Sequence, residues 1–494
     1  MRFVVTRKPI TQIDCDVLII GSFERTKKPV GAAKEVDTAV GGELSALIAR
    51  EKFEGKLGQT TDFTPCGGIN ARRVLVVGLG KEKELCADKM RKASASAMRK
   101  ARDLKANTVV FVPQTNGGKR LDARSAAQSV VEGAILGTYK FTKHKTKDDS
   151  PNPIKMVEIA ENSAKAAREA KDGIHLGSAI AEAVCMARDL VNEPANIVTP
   201  TYLAEQAKSI AEKCGLECSI LDRSDIENMG MNLILAVAKG SHEPPKFIVM
   251  RYTSPDATKT VAIVGKGITF DAGGLNLKPS AGLDGLKDDM AGAAAVIATM
   301  QAISAIKPRV NVLGLVPATE NLPGGGATKP GDVVTGLSGK SVEINNTDAE
   351  GRLLLADAVA YAEQQGVDQI IDLATLTGAC IVALGRSIAG VFGDQKIVDK
   401  LIAAGEASGE KLWQLPLYPD YDESVNSDFA DMKNAANEAG AITGAFFIKR
   451  HIKKTPWAHI DIAGPAWSDK ESGHLTKGGT GFGVATLINY LEQL

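Results

Sequence analysis

Short apolar runs alternate with helical patterns along most of the 494-residue chain. Near the N-terminus, runs typical of buried strands lie at 16–20, 73–80 and 108–113, and a helical pattern covers 89–104. Strands that alternate with helices in this way form parallel sheets with helices on their faces. The alternation therefore predicts an α/β architecture for the first part of the chain.

The same alternation resumes in the second part. Strand-like runs lie at 247–252, 260–265, 311–317, 341–345 and 369–375, with helical patterns at 290–306 and 351–365. A polar, proline-containing stretch at 143–153 separates the two parts, and a long helical pattern runs from Ile154 toward Leu190. We therefore predict an α/β protein of two domains, each a mostly parallel or mixed sheet flanked by helices. The predicted boundaries are 1–150 for the N-terminal α/β domain, 151–180 for a helical linker and 181–494 for the C-terminal domain.

Charge is unevenly distributed, although the chain as a whole is neutral with 59 basic and 59 acidic side chains. Residues 1–150 carry 28 lysines and arginines against 17 aspartates and glutamates. A basic domain is compatible with nucleic-acid binding, but this one lacks basic runs interleaved with aromatic residues. The favoured interpretation is that the two parts attract each other or that the acidic part holds cations. DNA binding by the first domain is kept as an alternative second role.

The cysteines and the apolar runs indicate a cytoplasmic protein. The seven cysteines are scattered, and a second cysteine pair that would complete a zinc site with Cys214 and Cys218 is missing. The first residues lack the apolar core of a signal peptide. The apolar stretch that begins at Ile370 is interrupted by Asp372 and is shorter than the roughly 20 residues of a membrane helix. We therefore expect a reducing compartment and no membrane contact.

Catalytic signatures built on histidine or serine are missing from the sequence. The six histidines are dispersed, and neither an H-E-x-x-H nor a G-x-S-x-G motif occurs. The glycine-containing segments 76–83, 265–270 and 336–341 each depart from a phosphate-binding or dinucleotide-binding loop. Any metal chemistry must therefore rest mainly on carboxylates.

Acidic side chains follow strand-like runs in three segments of the second part, 264–280, 286–296 and 342–358. These segments contain Lys266, Asp271, Lys278, Asp288, Asp289, Asp348, Glu350 and Arg352. Taken singly, each acid has a structural explanation. Asp289 precedes an apolar helix as a capping residue does, Asp271 precedes two glycines as in a turn, and Glu350 fits a helix capping box.

Taken together, the acids predict a metal site. Ligands bind at the carboxyl ends of strands in α/β sheets, and hard carboxylate oxygens at that edge can hold two divalent ions. Asp348 and Glu350 are two residues apart, so both side chains point to the same side of an extended segment. A lysine joins such a site as a ligand only when it is neutral, which requires its pKa to be strongly lowered.

Several of these segments resemble one known family. The segment NTDAEGRL at 346–353 matches the signature of the leucyl aminopeptidases, the cytosol aminopeptidases of peptidase family M17. The resemblance extends through GKG and KP within 265–279, GAAAV at 292–296, ATLTGA at 374–379 and TGFG at 480–483. It covers residues 175–494, whereas the first 150 residues resemble the family in general layout.

The resemblance implies a role for each matching position. One ion would be held by Asp271, Asp348 and Glu350, and the other by Lys266, Asp271, Asp289 and Glu350. Lys278 and Arg352 would be catalytic, with Arg352 holding a bicarbonate that acts as the base. Leu286, Thr375 and Leu376 would contact the substrate, and Asp288 is a competing candidate ligand beside Asp289.

The implied activity is that of a metal-dependent exopeptidase whose C-terminal domain is catalytic. It would release N-terminal amino acids, preferably leucine and other apolar residues, from peptides through a hydroxide bridged by two Mn²⁺ or Zn²⁺ ions. The family further implies a homohexamer. The alternative functions are a metal-dependent phosphoesterase, which also uses paired ions on carboxylates, and the DNA-binding role of the basic first domain.

Overall fold

The computed structural model describes residues 1–26, 28–114, 121–147 and 153–494. It divides into two compact units. Unit 1 comprises Met1–Glu182 with Lys470–Thr476, and unit 2 comprises Ala183–Asp469 with Lys477–Leu494. The division falls inside one long helix. The polar stretch 143–153 lies partly outside the described residues, and its assignment as a domain boundary stays a prediction.

Unit 1 is a six-stranded sheet with helices on both faces. Its elements are β1 (Arg2–Thr6), β2 (Val17–Ser22), α1 (Ala32–Ala39), α2 (Glu43–Arg50), β3 (Thr60–Phe63), β4 (Arg73–Gly78), α3 (Ala87–Asp103), β5 (Thr108–Val112), α4 (Ala123–Thr138), β6 (Met156–Ala160) and the helix shared with unit 2, α5 (Ala164–Asn192). The strand order is β1-β6-β5-β2-β4-β3, with β3 antiparallel to β4 and the other pairings parallel.

The central strand β2 shows why this sheet is covered on both sides. Its sequence VLIIGS is apolar almost throughout, as expected for a strand buried on both faces. Val17 and Ile19 pack into one hydrophobic cluster with α3 and α4 residues. Leu18 and Ile20 pack into a second cluster with residues of α1 and α2. Successive side chains alternate between the faces, so one strand contributes to both cores.

Unit 2 is built around a nine-stranded mixed sheet. Its first elements are α6 (Pro200–Cys214), β7 (Glu217–Leu221), α7 (Arg223–Asn228), α8 (Asn232–Ala238), β8 (Lys246–Tyr252), β9 (Thr260–Gly265), β10 (Gly267–Asp271), α9 (Ala291–Ile306), β11 (Asn311–Asn321), β12 (Asp332–Thr335), β13 (Ser341–Ile344) and α10 (Gly351–Gln364). The remaining elements are β14 (Gln369–Ala374), α11 (Gly378–Leu384), β15 (Ala389–Gly393), α12 (Gln395–Ser408), β16 (Leu412–Gln414), β17 (Met432–Lys433), α13 (Gly440–Lys449), β18 (Trp457–Asp461), β19 (Trp467–Ser468), β20 (Gly478–Gly479) and α14 (Val484–Glu492).

The main sheet of unit 2 has the order β16-β15-β18-β14-β9-β11-β8-β7, with β10 paired to β11. Its centre, β18-β14-β9-β11, is parallel, whereas β8 runs antiparallel to β11 and β15 runs antiparallel to β18. A separate three-stranded sheet joins β12, β13 and β17. The α/β class and the pair of helix-flanked sheets predicted from the sequence are confirmed.

The first turn of α9 packs closely against the ends of two central strands. A Cβ at Gly292 would lie 2.3 Å from the Leu373 carbonyl oxygen, so this position is restricted to glycine by its neighbour on β14. The Ala293 N–H donates to the Lys266 carbonyl at 2.9 Å. The first turn of α9 is therefore held against the carboxyl ends of β9 and β14, where the site lies.

Two features differ from what the sequence patterns suggest. The helical pattern predicted from Ile154 is wrong at its start, because 156–160 forms strand β6 and the helix begins at Ala164. Within the described residues, one helical stretch, Gly285–Ile306, is long and apolar enough to cross a membrane. Its most apolar part is 78% buried inside the protein, as is common for the core helix of a folded domain.

Candidate metal centre and active site

The ten site residues predicted from the sequence line one cavity of about 240 Å³ in unit 2. They converge because the fold brings their segments to one edge of the central parallel strands. Lys266 follows β9, Asp271 ends β10, Asp289 precedes α9, Glu350 precedes α10 and Thr375 follows β14. This is the edge at which α/β sheets bind ligands.

Three carboxylates form the centre of the cavity. Asp271, Asp348 and Glu350 each offer one oxygen atom, and these atoms all lie within 4.8 Å of one another. Asp271 and Glu350 are buried, whereas Asp348 is half-buried. Burial raises the pKa of Asp348, and burial together with the neighbouring Asp271 raises that of Glu350. An array of this kind is stabilised by a positive charge placed between the oxygens.

Lys266 supplies one such charge deep in the cavity. Its side chain is 3% exposed, and its Nζ atom lies 2.6 Å from Asp289 Oδ1 and 3.0 Å from Glu350 Oε1. It also donates to the Thr375 carbonyl at 3.0 Å. Burial alone would lower the pKa of Lys266, but the surrounding carboxylates outweigh burial and raise it. Without metal, Lys266 is therefore protonated and occupies the centre of the cluster.

Lys278 approaches the same acids from the more open side. Its Nζ atom lies 2.9 Å from Asp271 Oδ2 and also contacts Asp348. Here too the carboxylates outweigh burial and raise the pKa of the lysine. Lys278 is thus a fixed cation whose side chain remains accessible from the cavity.

Arg352 is the third cation, and it is buried in the first turn of α10. Its Nη1 donates to the Asn434 carbonyl at 2.8 Å. Its Nε is a buried donor without a hydrogen-bond acceptor among the described residues. Burial lowers the pKa of Arg352 to about 10, so the guanidinium is still charged at neutral pH. A buried cation with an unused N–H donor can bind a small anion.

Of the three structural roles suggested for single acids, the turn at Asp271 is present and the two helix-capping roles are not. Asp271 does form a turn, since its Oδ1 accepts from the Gly273 N–H at 2.9 Å. Asp289 does not cap α9, because its Oδ1 accepts from Lys266 and from Thr375 Oγ1. The capping box is also wrong, because Thr347 Oγ1 donates to the Gly273 carbonyl at 2.7 Å.

The cavity is also lined by residues that the sequence did not indicate. Leu286 and Leu376 line it together with Ile381, Ala463 and Arg386. Ile381 is on α11 and Arg386 on the loop after it, where no strand end or motif marks them. Asn321 was also missed, although it ends β11 beside Asp271. Its position at a strand end was the available signal.

The side chains fit a divalent cation. The donors are hard carboxylate oxygens, as Mn²⁺ and Mg²⁺ prefer. Lys266, whose pKa is raised by these acids in the absence of metal, would join them as a ligand only after losing its proton. Asp289 Oδ2 is buried in the cavity without a hydrogen-bond partner in the part of the chain that is described. Burial of a carboxylate oxygen without a partner lowers the stability of the folded protein unless a bound ligand interacts with that oxygen. Asp288 also lines the cavity, and burial raises its pKa to about 6.

Comparison with known proteins decides the family. The catalytic-domain model of the cytosol aminopeptidase family matches residues 185–488, and the N-terminal-domain model of that family matches 19–148. The chain belongs to the cytosol aminopeptidase family. A probable cytosol aminopeptidase of Alkaliphilus oremlandii is 42% identical over 498 residues, covering 100% of both chains. One of Geobacter sulfurreducens is 42% identical over 486 residues, covering 98% of this chain and 97% of the relative.

Solved structures agree with the family assignment. A point mutant of tomato leucine aminopeptidase superposes with a TM-score of 0.88 at 35% identity, covering 100% of this chain and 96% of that one. The bottromycin maturation enzyme BotP in complex with Mn superposes with a TM-score of 0.86 at 35% identity, covering 97% and 99%. The predicted family is confirmed, and the protein is a hydrolase, a metal-dependent aminopeptidase acting at the N-termini of peptides.

Proposed function

We propose that this protein removes N-terminal residues, preferably leucine and other apolar residues, using two divalent cations held in the unit 2 cavity. The observation that carries the proposal is the approach of Asp271, Asp348 and Glu350 oxygens within 4.8 Å of one another. The first cation would be held by Asp271, Asp348 and Glu350, and the second by Lys266, Asp271, Asp289 and Glu350. Mn²⁺ is favoured by the manganese complex of the similar enzyme BotP, and Zn²⁺ is the alternative.

Bound cations would polarise the scissile carbonyl and lower the pKa of water to near neutrality. The charged side chain of Lys278, on the open side of the cluster, is placed to stabilise negative charge that develops on the carbonyl oxygen. Arg352 would hold bicarbonate at its unused Nε donor. That anion would accept a proton from water and return it to the leaving amine.

The cavity wall supports a preference for apolar N-terminal residues. Leu286, Leu376, Ile381 and Ala463 face the same space as the acids. A side chain that packs against them is removed from water, which favours its binding by about 25 cal/mol per Å² of apolar surface. The discrimination is modest, because one methylene changes the rate by only about 10- to 200-fold.

Two further properties are proposed from the family resemblance, namely a homohexameric assembly and a cytoplasmic location. Two large apolar side chains, Val382 (89% exposed) and Phe429 (80% exposed), are candidate positions for contacts between subunits. Singly exposed apolar side chains are common on protein surfaces, so the assembly itself is proposed from the family resemblance.

The activity is tested by hydrolysis of leucine p-nitroanilide. The purified protein is stripped with a chelator and assayed, then assayed again after addition of Mn²⁺ or Zn²⁺. We expect no release from the stripped protein, restoration by metal, and no restoration in Asp348→Ala or Lys278→Ala. Lys329→Ala is the matched control, because Lys329 is exposed and forms a surface ion pair with Asp332. A folded, metal-loaded wild type that releases nothing would contradict the proposal, and phosphate esters would then be assayed.

A further inference from the structure

Asn321 lies directly behind the carboxylates of the cavity. It is the last residue of β11 and is 3% exposed. Its Nδ2 lies 2.8 Å from Asp271 Oδ1, 3.0 Å from the Thr347 carbonyl and 3.4 Å from Glu350 Oε2. The two shorter contacts have the geometry of ordinary hydrogen bonds, and the third is a weak one.

We propose that Asn321 is a positioning residue that holds Asp271 and Glu350, the two carboxylates that both cations would share. The inference rests on the proposed function in that those two acids are the bridging ligands. The two N–H groups of this amide serve Asp271 Oδ1 and the Thr347 carbonyl, and Nδ2 is also in weak contact with Glu350 Oε2. The amide would therefore orient Asp271 directly and limit the separation of the two acids, which influences the distance between the two cations. Asn321 itself is not a ligand in this arrangement, because its contacts are those of a hydrogen-bond donor.

The backbone makes the position of this amide rigid. Asp271 and Asn321 are paired in the parallel register of β10 and β11, and the Ala272 N–H donates to the Asn321 carbonyl at 2.9 Å. Thr347, whose carbonyl accepts the second hydrogen bond, is itself held by Gly273 and Asn276. The amide thus connects two strand ends to the loop that carries Asp348 and Glu350. Three segments distant in sequence are aligned by one side chain.

The chemistry of the cluster favours an amide at this place. Asp271 Oδ1 already accepts from the Gly273 N–H, and the Asn321 hydrogen bond completes that oxygen. Asp271 Oδ2 is then directed toward Lys278 at 2.9 Å. An aspartate at 321 would lack N–H donors and add a charge to an acidic cluster, and a leucine would remove the hydrogen bond that Asn321 donates to Asp271. Partners that orient metal ligands typically change metal affinity by about 10- to 100-fold when they are replaced.

The test is a titration of the metal-stripped full-length protein with MnCl₂ by isothermal titration calorimetry. The variants are Asn321→Ala, which is smaller than the native side chain, and Asn321→Leu, which is larger, keeps the branching at Cγ and has no donor. The matched control is Asn311→Ala, at the opposite end of β11, where the asparagine hydrogen bonds to Ser254 and Thr260. We expect Mn²⁺ affinity to fall by about 10- to 100-fold in both Asn321 variants and to stay at the wild-type value in Asn311→Ala.

Electron paramagnetic resonance of the Mn²⁺-loaded proteins provides a second readout. A changed Mn–Mn coupling, and a lower kcat with little change in KM at saturating Mn²⁺, are expected if the amide influences the spacing of the ions. Wild-type affinity and coupling in both variants would overturn the inference, as would loss of folding in both, since the amide would then be purely structural. Failure of the proposed function is distinguishable, because a wild type that binds two Mn²⁺ but hydrolyses no peptide leaves the affinity comparison intact.

Discussion

The three positively charged side chains of the cavity differ in the contacts that hold them in place. Lys266 is enclosed by Asp289, Glu350 and the Thr375 carbonyl. Lys278 stands between Asp271 and Asp348 on the open side. Arg352 is anchored by one backbone carbonyl and has an unused Nε donor. Changes at these cations should therefore have different effects on metal binding and activity. Two experiments follow, one on Arg352 and one on Gly351, which packs against the Lys266 side chain.

Arg352 is expected to make the reaction depend on bicarbonate. In Mn²⁺-loaded protein in bicarbonate-free buffer, added bicarbonate should raise the wild-type rate on leucine p-nitroanilide. Arg352→Met keeps much of the buried volume but removes the anion-binding donors, so its rate should be at least about 10²-fold lower and unresponsive to bicarbonate. Mn²⁺ content, measured on the same samples, should be unchanged. An equal response to bicarbonate in both proteins would argue against a role of Arg352 in holding the anion.

Gly351 is expected to be essential for the position of Lys266. A Cβ at Gly351 would lie 2.4 Å from Lys266 Cε, so Gly351→Ala must displace the lysine from Asp289 and Glu350. We expect the variant to lose tight binding of the second Mn²⁺ equivalent in calorimetry. Gly378→Ala is the control, because Gly378 also begins a helix at the cavity and its added Cβ would meet no heavy atom of the described chain within 4 Å. Two tightly bound equivalents in Gly351→Ala would contradict this expectation.

Among the secondary-structure elements, one buried contact joins the β12–β13 hairpin to the end of α13. His451 Nδ1 lies 2.7 Å from Ser338 Oγ, and the ring packs on Phe447 with centroids 5.1 Å apart. Burial, with a smaller contribution from Lys340, lowers the pKa of His451 to about 3. The imidazole is therefore neutral in the folded protein over most of the acidic range.

This contact predicts a loss of stability in acid. As the pH falls below about 6.5, the unfolded chain protonates His451 and the folded chain does not, so folding loses free energy until the pH reaches the folded pKa. Between pH 7.5 and 5.0 the loss from this residue is about 2 kcal/mol. Guanidinium unfolding of wild type and His451→Gln at both pH values should show a decline smaller by that amount in the variant. Equal declines would mean that His451 does not titrate in this way.

For the whole molecule, the exposed apolar side chains bear on assembly. We expect sedimentation velocity to give a species of six times the 52.0 kDa chain. Phe429→Glu, which places a charge at an exposed apolar position, is expected to shift the distribution to smaller species with the fold retained by circular dichroism. A wild type that sediments as a monomer at micromolar concentration would contradict the hexamer.

DNA binding by the basic first 150 residues stays a prediction, tested by a gel shift of the full chain at low and moderate salt.

The α/β class and ten of the residues that line the cavity were predictable from the sequence, and the family was predictable from its motifs. These are local properties: hydrophobic periodicity marks strands and helices, and acids placed directly after strands mark the ligand-binding edge. The motif NTDAEGRL carries two of the cavity acids and Arg352 within eight consecutive residues. The start of the helical pattern at Ile154 failed because the short apolar run of β6 lies next to a helix, and periodicity alone does not separate the two.

The contacts between those residues depend on the folded chain as a whole. The Lys266 contact with the Thr375 carbonyl joins positions 109 apart, and the Asn321 contact with Asp271 joins positions 50 apart. Strand register, which depends on the packing of the entire sheet, places Asn321 beside Asp271. Ile381, Arg386 and Ala463 face the cavity because their elements pack around it. No local pattern specifies such contacts, since their free energy arises from side chains that are brought together when the chain has folded.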